Sequence, residues 1–320
     1  MKLGVVAALF QDRPLEAMLD HAAEMGLQAV ELGTGAWPGS PHMNVDLLLS
    51  DEVALKAFAK AISDRGLIIS GLSCHGNPIH PVKSIAVEYD AVYRKTVLLA
   101  EKLGVPVVNL FSGCPGDSEG ARYPNWVTCA WPPDFADVLK WQWEEVVIPY
   151  WKEAGAFAAA HNVKLAFEMH PGFVVYNPET LLRLREAVGP VIGANFDPSH
   201  LYWQGIDPAA AIRALSGAIH HFHAKDTFID PINTAVNGVL DTKGYGDLVN
   251  RSWTFRTVGY GHDQLAWRQM ISALRLAGYD YVVSIEHEDP LASVEEGFSR
   301  AVSFLKDVLL TDPPPAMWWA

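Results

Sequence analysis

Four side chains that could bind a metal ion or move a proton stand at equivalent places in this 320-residue chain. Each one closes or follows a short apolar run of the length and composition of a buried strand. They are Glu168, Asp197, His223 and Glu286, in runs that begin at Val163, Val191, Ile219 and Tyr281. Buried strands that each deliver such a side chain at their C-terminal end predict one shared site where the strand ends meet.

Three carboxylates and one imidazole form an oxygen-rich donor set, which favours a divalent cation. A capping or ion-pairing role would explain any one of these residues alone. It would not explain why all four stand at the C-terminal end of a predicted strand. Without a cation, three carboxylates at one point would repel one another strongly. We therefore predict that Glu168, Asp197, His223 and Glu286 bind one divalent metal ion. Mn²⁺ is the expected ion, and Mg²⁺, Co²⁺ or Zn²⁺ are alternatives.

This donor set suits the chemistry of sugars. A divalent cation that binds two adjacent oxygens of a keto sugar acidifies the neighbouring C–H bond and holds the resulting cis-enediolate. Glu168 and Glu286 lie on strands that flank the metal, and they are the predicted acid–base pair. Return of the proton to the opposite face gives epimerisation, and return to the next carbon gives isomerisation. Loss of a β-hydroxyl group gives dehydration.

Apolar runs alternate with amphipathic segments along the whole chain. Further strands are predicted over 3–8, 29–32, 67–72 and 105–111, and the longest helices over 45–65, 83–103 and 135–161. Apolar strands separated by helices indicate a parallel sheet covered on both faces. The predicted fold class is α/β, a (β/α)8 TIM barrel whose active site lies at the C-terminal ends of the strands. The alternative, an open doubly wound sheet, would need a glycine-rich phosphate loop that does not follow the first strand.

Two predicted loops on the catalytic face exceed the usual length of 2–6 residues. They span 112–133 after the fourth strand and 227–262 after the seventh. Their Trp, Tyr, Asn and Arg content suits a wall that stacks on a sugar and binds its hydroxyl groups, and Trp126 is the candidate contact. Packing against a second subunit is the other interpretation. We predict one domain over 1–311 and a tail over 312–320, in which Trp318 and Trp319 favour an oligomer contact.

Composition narrows the range of partners. Lys+Arg number 24 and Asp+Glu 37, a formal charge of −13. A nucleic-acid-binding protein needs a concentrated basic surface, and no Lys/Arg run is present. The first ten residues fit a buried strand better than a secretion signal, and no apolar run approaches the roughly 20 residues of a membrane span. We expect a cytoplasmic protein that binds a small sugar, forms a dimer or tetramer, and interacts with neither nucleic acid nor membrane.

The site residues resemble a known superfamily. The segments that carry the resemblance are Glu168, Asp197-Pro-Ser-His200, His223-Ala-Lys-Asp226, Gly259-Tyr-Gly261 and Ile285-Glu286. They are similar to motifs of the xylose-isomerase-like barrels, a group of sugar isomerases that also includes keto-sugar 3-epimerases, inosose dehydratase and endonuclease IV. The resemblance implies this fold, the same four metal ligands, the two glutamates as acid and base, and His200 as a contact to substrate oxygens.

The chain also departs from members of that superfamily. The ketose 3-epimerases carry a glutamate and an arginine at the positions of Val174 and Ile229, so terminal hydroxyl groups of a sugar must be held differently here. Endonuclease IV recruits extra metals with histidines after strands three and four. Here His75 is present, but strand four offers Asn109, which together with the acidic charge argues against DNA repair.

His170 follows Glu168 by two residues and is either a second acid–base group or a histidine bonded to nearby backbone. The predicted substrate-binding residues are His200, His75, Asn109, Asp226, Trp126 and Glu288. The predicted function is a metal-dependent isomerase or epimerase of a keto sugar or related polyol. The alternatives are a lyase or dehydratase acting on an oxidised sugar, such as an inosose or a 3-keto-glycoside (C-glycoside cleavage included), and a sugar-binding barrel without activity.

Overall fold

The computed structural model describes residues 1–313, 315–317 and 319. Within them, eight parallel strands form a closed barrel in chain order, and two more strands form a hairpin. The strands are β1 (Lys2–Val6), β2 (Ala29–Gly33), β3 (Ile68–Ser73), β4 (Val107–Leu110), β5 (Lys164–Glu168), β6 (Ile192–Phe196), β7 (Ile219–Ala224), the hairpin strands β8 (Asp226–Ile229) and β9 (Trp253–Arg256), and β10 (Val282–Ile285). Because β10 pairs with both β7 and β1, the ring is complete. The predicted (β/α)8 barrel is confirmed.

The helices are α1 (Leu15–Glu24), α2 (Val45–Ser50), α3 (Glu52–Ser63), α4 (Lys83–Leu103), α5 (Pro133–Trp141), α6 (Ile148–Ala160), α7 (Pro178–Val188), α8 (Ser199–Tyr202), α9 (Pro208–Ala214), α10 (Pro231–Asn237), α11 (Gln264–Leu276) and α12 (Val294–Val308). Two helices predicted as continuous are divided. The helix predicted over 45–65 breaks at Asp51, whose carboxylate accepts hydrogen bonds from the backbone N–H groups of Val53 and Ala54 and thereby caps α3. The helix predicted over 135–161 comprises α5, a π-helical segment over 142–147, and α6.

The interior of the barrel is polar just below the ends of the strands. Glu31 on β2 lies 2.8 Å from His223 on β7, although β1 and β10 separate these strands in the sheet, so this contact crosses the interior. Asn195 on β6 adds a contact of 3.2 Å to His221 on β7. Branched apolar residues usually fill such barrels. A layer of buried polar residues here provides hydrogen-bond partners for the side chains above it.

The connection after β7 is a folded unit rather than an irregular loop. β8 and β9 pair in antiparallel fashion, with Asp226 opposite Arg256 and Ile229 opposite Trp253. The rings of Trp203 and Trp253 stack with centroids 4.6 Å apart, which attaches the hairpin to the segment after α8. The sequence indicated the length of this connection but not its hairpin, because two four-residue strands present too short a pattern to recognise.

The chain beyond α12 is attached to the barrel where it begins. The carbonyl group of Leu310 accepts a hydrogen bond from the N-terminal ammonium of Met1, and that of Asp312 accepts one from Arg275. Trp318, one of the two predicted contact residues of the tail, lies outside the described residues. A subunit contact through the tail and the domain limit at residue 311 therefore stay predictions. In the part of the chain that is described, no helix is both long and apolar enough to cross a membrane.

Candidate metal centre

The four predicted metal ligands lie together at the C-terminal end of the barrel. Glu168 is the last residue of β5, His223 lies in β7, and Asp197 and Glu286 directly follow β6 and β10. Each residue offers a ligand atom within 4.8 Å of those of the other three. β5, β6, β7 and β10 are consecutive around the barrel. The short distance between adjacent strands therefore brings the four side chains to one point.

His223 stands at the centre of this cluster. Its Nδ1 lies 3.0 Å from Glu286 Oε2 and 3.4 Å from Glu168 Oε2, while its Nε2 lies 2.8 Å from Glu31 Oε2. Burial disfavours a charged ring, but Glu31 and Glu286 outweigh burial and hold the pKa of His223 well above its usual value. Nε2–H donates to Glu31. Nδ1 therefore faces the ligand carboxylates and is the nitrogen that a cation would take.

The three carboxylates of the cluster differ in their protonation. Burial raises the pKa of Asp197 to about 7, and the neighbouring Glu286 and Glu168 oppose its ionisation further. Burial also disfavours the charge on Glu286, but Lys225 and His223 more than compensate and lower the pKa of Glu286 to about 2. Asp197 is therefore the carboxyl group of the cluster that holds a proton near neutral pH.

Two of the predicted substrate-contacting histidines bracket Glu168. His200 Nε2 lies 3.0 Å from Glu168 Oε1, and His75 Nε2 lies 3.1 Å from Glu168 Oε2. The pKa of Glu168 is lowered well below its usual value, because contacts with His200, His223 and His75 outweigh its burial. These rings hold Glu168 ionised and orient its two oxygens.

The surroundings of His170 fit its interpretation as a histidine bonded to nearby backbone, and its acid–base role stays a prediction. Its Nδ1 lies 2.6 Å from the carbonyl oxygen of Pro171. A carbonyl group can only accept, so Nδ1 carries the proton and Nε2 keeps a lone pair. Burial, helped by His200, lowers the pKa of His170 to about 3, which keeps the ring neutral. His170 is thus bonded to backbone and at the same time lines the cavity in front of the cluster.

A cavity of about 290 Å³ opens in front of the cluster and is called the metal cavity below. Its lining includes Glu168, His223, Lys225 and Glu286 but not Asp197, which lies behind them. The predicted contact Glu288 also lines this cavity. Trp126 lines a neighbouring pocket of about 230 Å³ on the side of the long loop after β4.

Two predicted substrate-binding residues lie elsewhere. Asp226 is fully buried, and its carboxylate accepts hydrogen bonds from the backbone N–H groups of Thr227, Gly259, Gly261 and His262. This geometry does not fit the prediction that Asp226 binds substrate, because the carboxylate anchors a loop instead. A Cβ atom on Gly261 would lie 2.3 Å from the carbonyl oxygen of Thr227, so the Gly259-Tyr-Gly261 motif serves this anchor.

Asn109, the other residue, is fully buried in β4 and lines none of the cavities described here. Neither atom of its amide group has a hydrogen-bond partner among the described residues. Its position in the polar interior does not support a direct contact with a substrate held in front of Glu168 and Glu286.

The sequence of residues 19–308 matches the family described as xylose isomerase-like TIM barrel. The chain belongs to this family. It is 42% identical over 312 residues to the protein YfiH of Bacillus subtilis (strain 168), a match that covers 97% of this chain and 99% of YfiH. It is 24% identical over 156 residues to the inosose dehydratase of Geobacillus thermodenitrificans (strain NG80-2), covering 48% and 50% of the two chains.

A solved structure described as a D-tagatose 3-epimerase-like protein superposes on this xylose isomerase-like barrel with a TM-score of 0.63. The two chains are 18% identical, and the superposition covers 96% of this chain and 98% of the other. At this level of identity the similarity shows a common fold. The proteins that this chain resembles thus include one named for dehydration and one named for epimerisation.

The four side chains of this family member fit a divalent first-row cation. Ligand atoms about 2.1 Å from such an ion are separated from one another by at most about 4.2 Å. The spacing found here, within 4.8 Å, needs only a small contraction. Two carboxylate oxygens of the cluster, Asp197 Oδ2 and Glu286 Oε2, are buried and accept no hydrogen bond of good geometry within the described residues. The nearest basic groups are Lys225 at 3.2 Å and His200 at 3.3 Å from Asp197 Oδ2, and His223 at 3.0 Å from Glu286 Oε2.

Glu31 forms a hydrogen bond with His223 and was not among the residues predicted from the sequence. It is fully buried, lies 2.8 Å from His223 Nε2 and 3.7 Å from His221 Nδ1, and accepts a hydrogen bond from the hydroxyl group of Ser73. A carboxylate that accepts the second N–H of a metal-binding histidine fixes the orientation of its ring. The available signal was a charged residue inside the apolar strand 29–32, because such a residue needs a buried partner.

Lys225 is a second residue whose place at the site was not predicted. Its Nζ lies 3.0 Å from Glu286 Oε1, 3.2 Å from Asp197 Oδ2 and 3.3 Å from Glu288 Oε2. Burial disfavours its charge, but these carboxylates hold the pKa of Lys225 well above its usual value. Lys225 belongs to the His223-Ala-Lys-Asp226 segment, whose resemblance to the family implies no role for it. A lysine that follows a ligand-bearing strand by one residue was the available signal.

Proposed function

We propose that this chain is a divalent-metal-dependent isomerase or epimerase that acts on a keto sugar or related polyol. The observation that carries the proposal is the convergence of Glu168, Asp197, His223 and Glu286 within 4.8 Å beside a cavity. When bound there, a cation supplies positive charge beside the oxygen atoms that become negative as a proton leaves the neighbouring carbon. Mn²⁺ is the ion we expect.

The chain's own residues supply the proton transfer. Glu286 and Glu168 both line the metal cavity, and both have pKa values below the usual range, so each is an ionised base at neutral pH. Glu286 is the more accessible of the two, with 21% of its side chain exposed against 4% for Glu168. We assign the proton removal to Glu286, whose carboxyl group can return the proton to the neighbouring carbon. For epimerisation, Glu168 would first take up a proton from water and then deliver it to the opposite face of the carbon. We propose that Lys225, which lines the metal cavity, donates a hydrogen bond to a substrate oxygen.

A lyase or dehydratase acting on an oxidised sugar is the second candidate. It begins with the same proton removal and differs in the loss of a group from the next carbon. Two observations favour it: the similarity to an inosose dehydratase over about half of the chain, and a second cavity beside the first that is large enough for a leaving group.

Proton exchange tests both candidates. The Mn²⁺-loaded protein is incubated in D₂O with ketoses, inososes and 3-keto-glucosides, and the products are followed by NMR. We expect deuterium to appear next to the carbonyl group of at least one compound, and to be lost in Glu286→Gln. Rearranged product then indicates an isomerase or epimerase, and an eliminated group indicates a lyase. A metal-loaded protein that exchanges no proton on any compound would contradict the proposal.

The proposal includes the partners of the protein. We propose a homo-oligomer, a dimer or tetramer, without nucleic-acid or membrane partners. Large apolar side chains on the long loops support subunit contacts, because Trp131, Ile232, Val236 and Val249 are each at least 74% exposed. Light scattering coupled to size-exclusion chromatography measures the mass directly, and a monomer at micromolar concentration would contradict this part of the proposal.

A further inference from the structure

A second cavity adjoins the metal cavity and is here called the aromatic pocket. Its volume is about 450 Å³, and it is lined by His170, Tyr245, Thr254, Phe255, Glu288 and Pro290. It shares His170 and Glu288 with the metal cavity, so the two cavities meet at these side chains. A ligand with one part in front of Glu286 can therefore extend a second part into the aromatic pocket.

The walls of the aromatic pocket suit a flat ring. Tyr245 and Phe255 lie nearly parallel, with planes 18° apart and ring centroids separated by 5.8 Å. Pro290 adds an apolar surface, and Glu288 offers a carboxylate that is half exposed and held by Lys225. Aromatic walls bind planar rings and the apolar faces of sugars, and a single acceptor orients a hydroxyl group.

Tyr245 is held in place by an unusual buried cation. Arg251 is only 2% exposed, and its guanidinium lies 4.4 Å from the ring centre of Tyr245 and 4.6 Å from that of Trp253. Its nitrogens donate to the backbone carbonyl groups of Trp253 and Lys243, which fixes the segment on both sides of Tyr245. Tyr245 nevertheless remains 58% exposed. A ring that is rigidly supported and still open to solvent is pre-organised for binding.

We infer that the substrate is a glycoside of two parts. A keto-sugar ring lies in the metal cavity, and a second ring, joined to it by a glycosidic bond, packs against Tyr245 and Phe255 in the aromatic pocket. This inference rests on the proposed proton removal at Glu286 and adds the substrate class. An aryl group and a second sugar both present the required flat face, and the experiment distinguishes them.

The test compares four probes that share one reacting ring: 3-keto-glucose and its methyl, phenyl and glucosyl glycosides. The Mn²⁺-loaded full-length chain is incubated with each probe in D₂O, and kcat/KM for exchange next to the carbonyl group is measured by NMR. We expect the phenyl or the glucosyl glycoside to exceed the methyl glycoside by about tenfold, mainly through a lower KM, which matches the strength of one stacked ring. Whichever of the two is preferred identifies the second ring.

Substitutions at Tyr245 test whether the preference for a second ring arises in the aromatic pocket. Tyr245→Ala is expected to abolish the tenfold ratio, and Tyr245→Phe, which keeps the ring, is expected to retain it. Tyr260→Ala is the matched control, because Tyr260 belongs to the same connection, is similarly exposed and lines none of the pockets described here. Equal exchange of all four probes by the wild-type chain would overturn the two-part substrate and leave the proposed function standing. No exchange on any probe, nor on the wider panel of sugars, would overturn both.

Discussion

Glu31 explains how His223 presents one nitrogen to three carboxylates. Histidine can turn about its Cβ–Cγ bond, and either nitrogen can carry the proton. The carboxylate of Glu31 accepts a hydrogen bond from His223 Nε2–H at 2.8 Å, and it accepts another from the hydroxyl group of Ser73. This chain of contacts leaves Nδ1 directed at Glu286 and Glu168. The orientation of the ligand is therefore set by a residue that itself does not line the metal cavity.

Glu31→Gln should weaken metal binding without unfolding the barrel. The amide keeps the shape of the carboxylate but removes its charge, and loss of such supporting partners lowers metal affinity by about 10- to 100-fold. Calorimetric titration with Mn²⁺ measures the loss. Ser73→Ala, which removes only the hydroxyl support of Glu31, serves as a graded control and should have a smaller effect. Wild-type affinity in Glu31→Gln would show that His223 needs no such support.

Protons should leave the site as the metal binds, in a number that depends on pH. The pKa of Asp197 is raised to about 7, so Asp197 is protonated at pH 6 and ionised at pH 8. The pKa of His223 is held well above its usual value, so its ring is charged at pH 6. Because a cation needs the deprotonated ligands, we expect more protons to be released at pH 6 than at pH 8, with Asp197 contributing about one to the difference.

The number of released protons is measured by titration calorimetry with Mn²⁺ in several buffers, because the observed binding enthalpy changes with the ionisation enthalpy of the buffer in proportion to that number. The apparent affinity for Mn²⁺ should rise with pH over this range, because fewer protons have to be displaced. In Asp197→Asn the release at pH 6 should fall by about one proton, because the substituted side chain has none to give up. An equal release from the wild-type chain at pH 6 and pH 8 would argue against a protonated Asp197.

At the scale of secondary structure, Asp226 connects the hairpin to the barrel. It begins β8 and is separated from β7 by Lys225 alone, and its carboxylate accepts hydrogen bonds from backbone N–H groups of the loop that leads to α11. The hairpin carries Phe255 in β9, and Tyr245 lies in the connection between β8 and β9; both side chains line the aromatic pocket. A single buried carboxylate thus positions the outer wall of the candidate site.

Asp226→Asn should lower the free energy of unfolding by about 3 kcal/mol. The substitution replaces one acceptor oxygen by an NH₂ group, so buried backbone N–H groups lose their acceptor and face another donor. The midpoint of urea unfolding measures the change in the free energy of unfolding. Asp263→Asn is the matched control: Asp263 caps α11 at the surface, and Asn caps a helix as well as Asp does, so a change within about 0.5 kcal/mol is expected. Equal effects of the two substitutions would contradict the anchoring role.

For the whole molecule, the candidate metal centre joins distant parts of the chain. Its ligands come from β5, β6, β7 and β10, between Glu168 and Glu286. A cation that binds the folded chain and not the unfolded one stabilises the fold by mass action. At a hundred times the dissociation constant this amounts to about 2.7 kcal/mol. The metal centre and the stability of the barrel are therefore linked.

Saturating Mn²⁺ should raise the melting temperature by about 4 °C for a domain of this size. Differential scanning calorimetry of the chelator-treated and reloaded protein measures the shift. Asp197→Asn, which removes one ligand, should reduce it strongly. A melting temperature that Mn²⁺ leaves unchanged in the wild-type chain would show that the four residues do not form a metal site.

The barrel could be predicted from the sequence because its signal is repeated. Eight apolar runs, each followed by an amphipathic segment, give the same local signal eight times, so uncertainty in any one run matters little. The hairpin of β8 and β9 offers no such repetition. Helix breaks were missed for a related reason: Asp51 ends one helix by capping the next, and a pattern of apolar residues does not register a cap.

The barrel and the candidate ligands could be predicted from the sequence alone, because the apolar runs place Glu168, Asp197, His223 and Glu286 at or near the ends of strands. Which of the neighbouring polar residues serve the site became clear only from the folded structure. Asp226 and Lys225 are adjacent in the chain, yet one anchors a loop and the other faces the metal cavity. Glu31 lies 192 residues from His223 and meets it across the barrel. Side-chain direction and contacts between distant segments depend on how the strands are aligned against one another across the barrel, which a local sequence pattern does not specify.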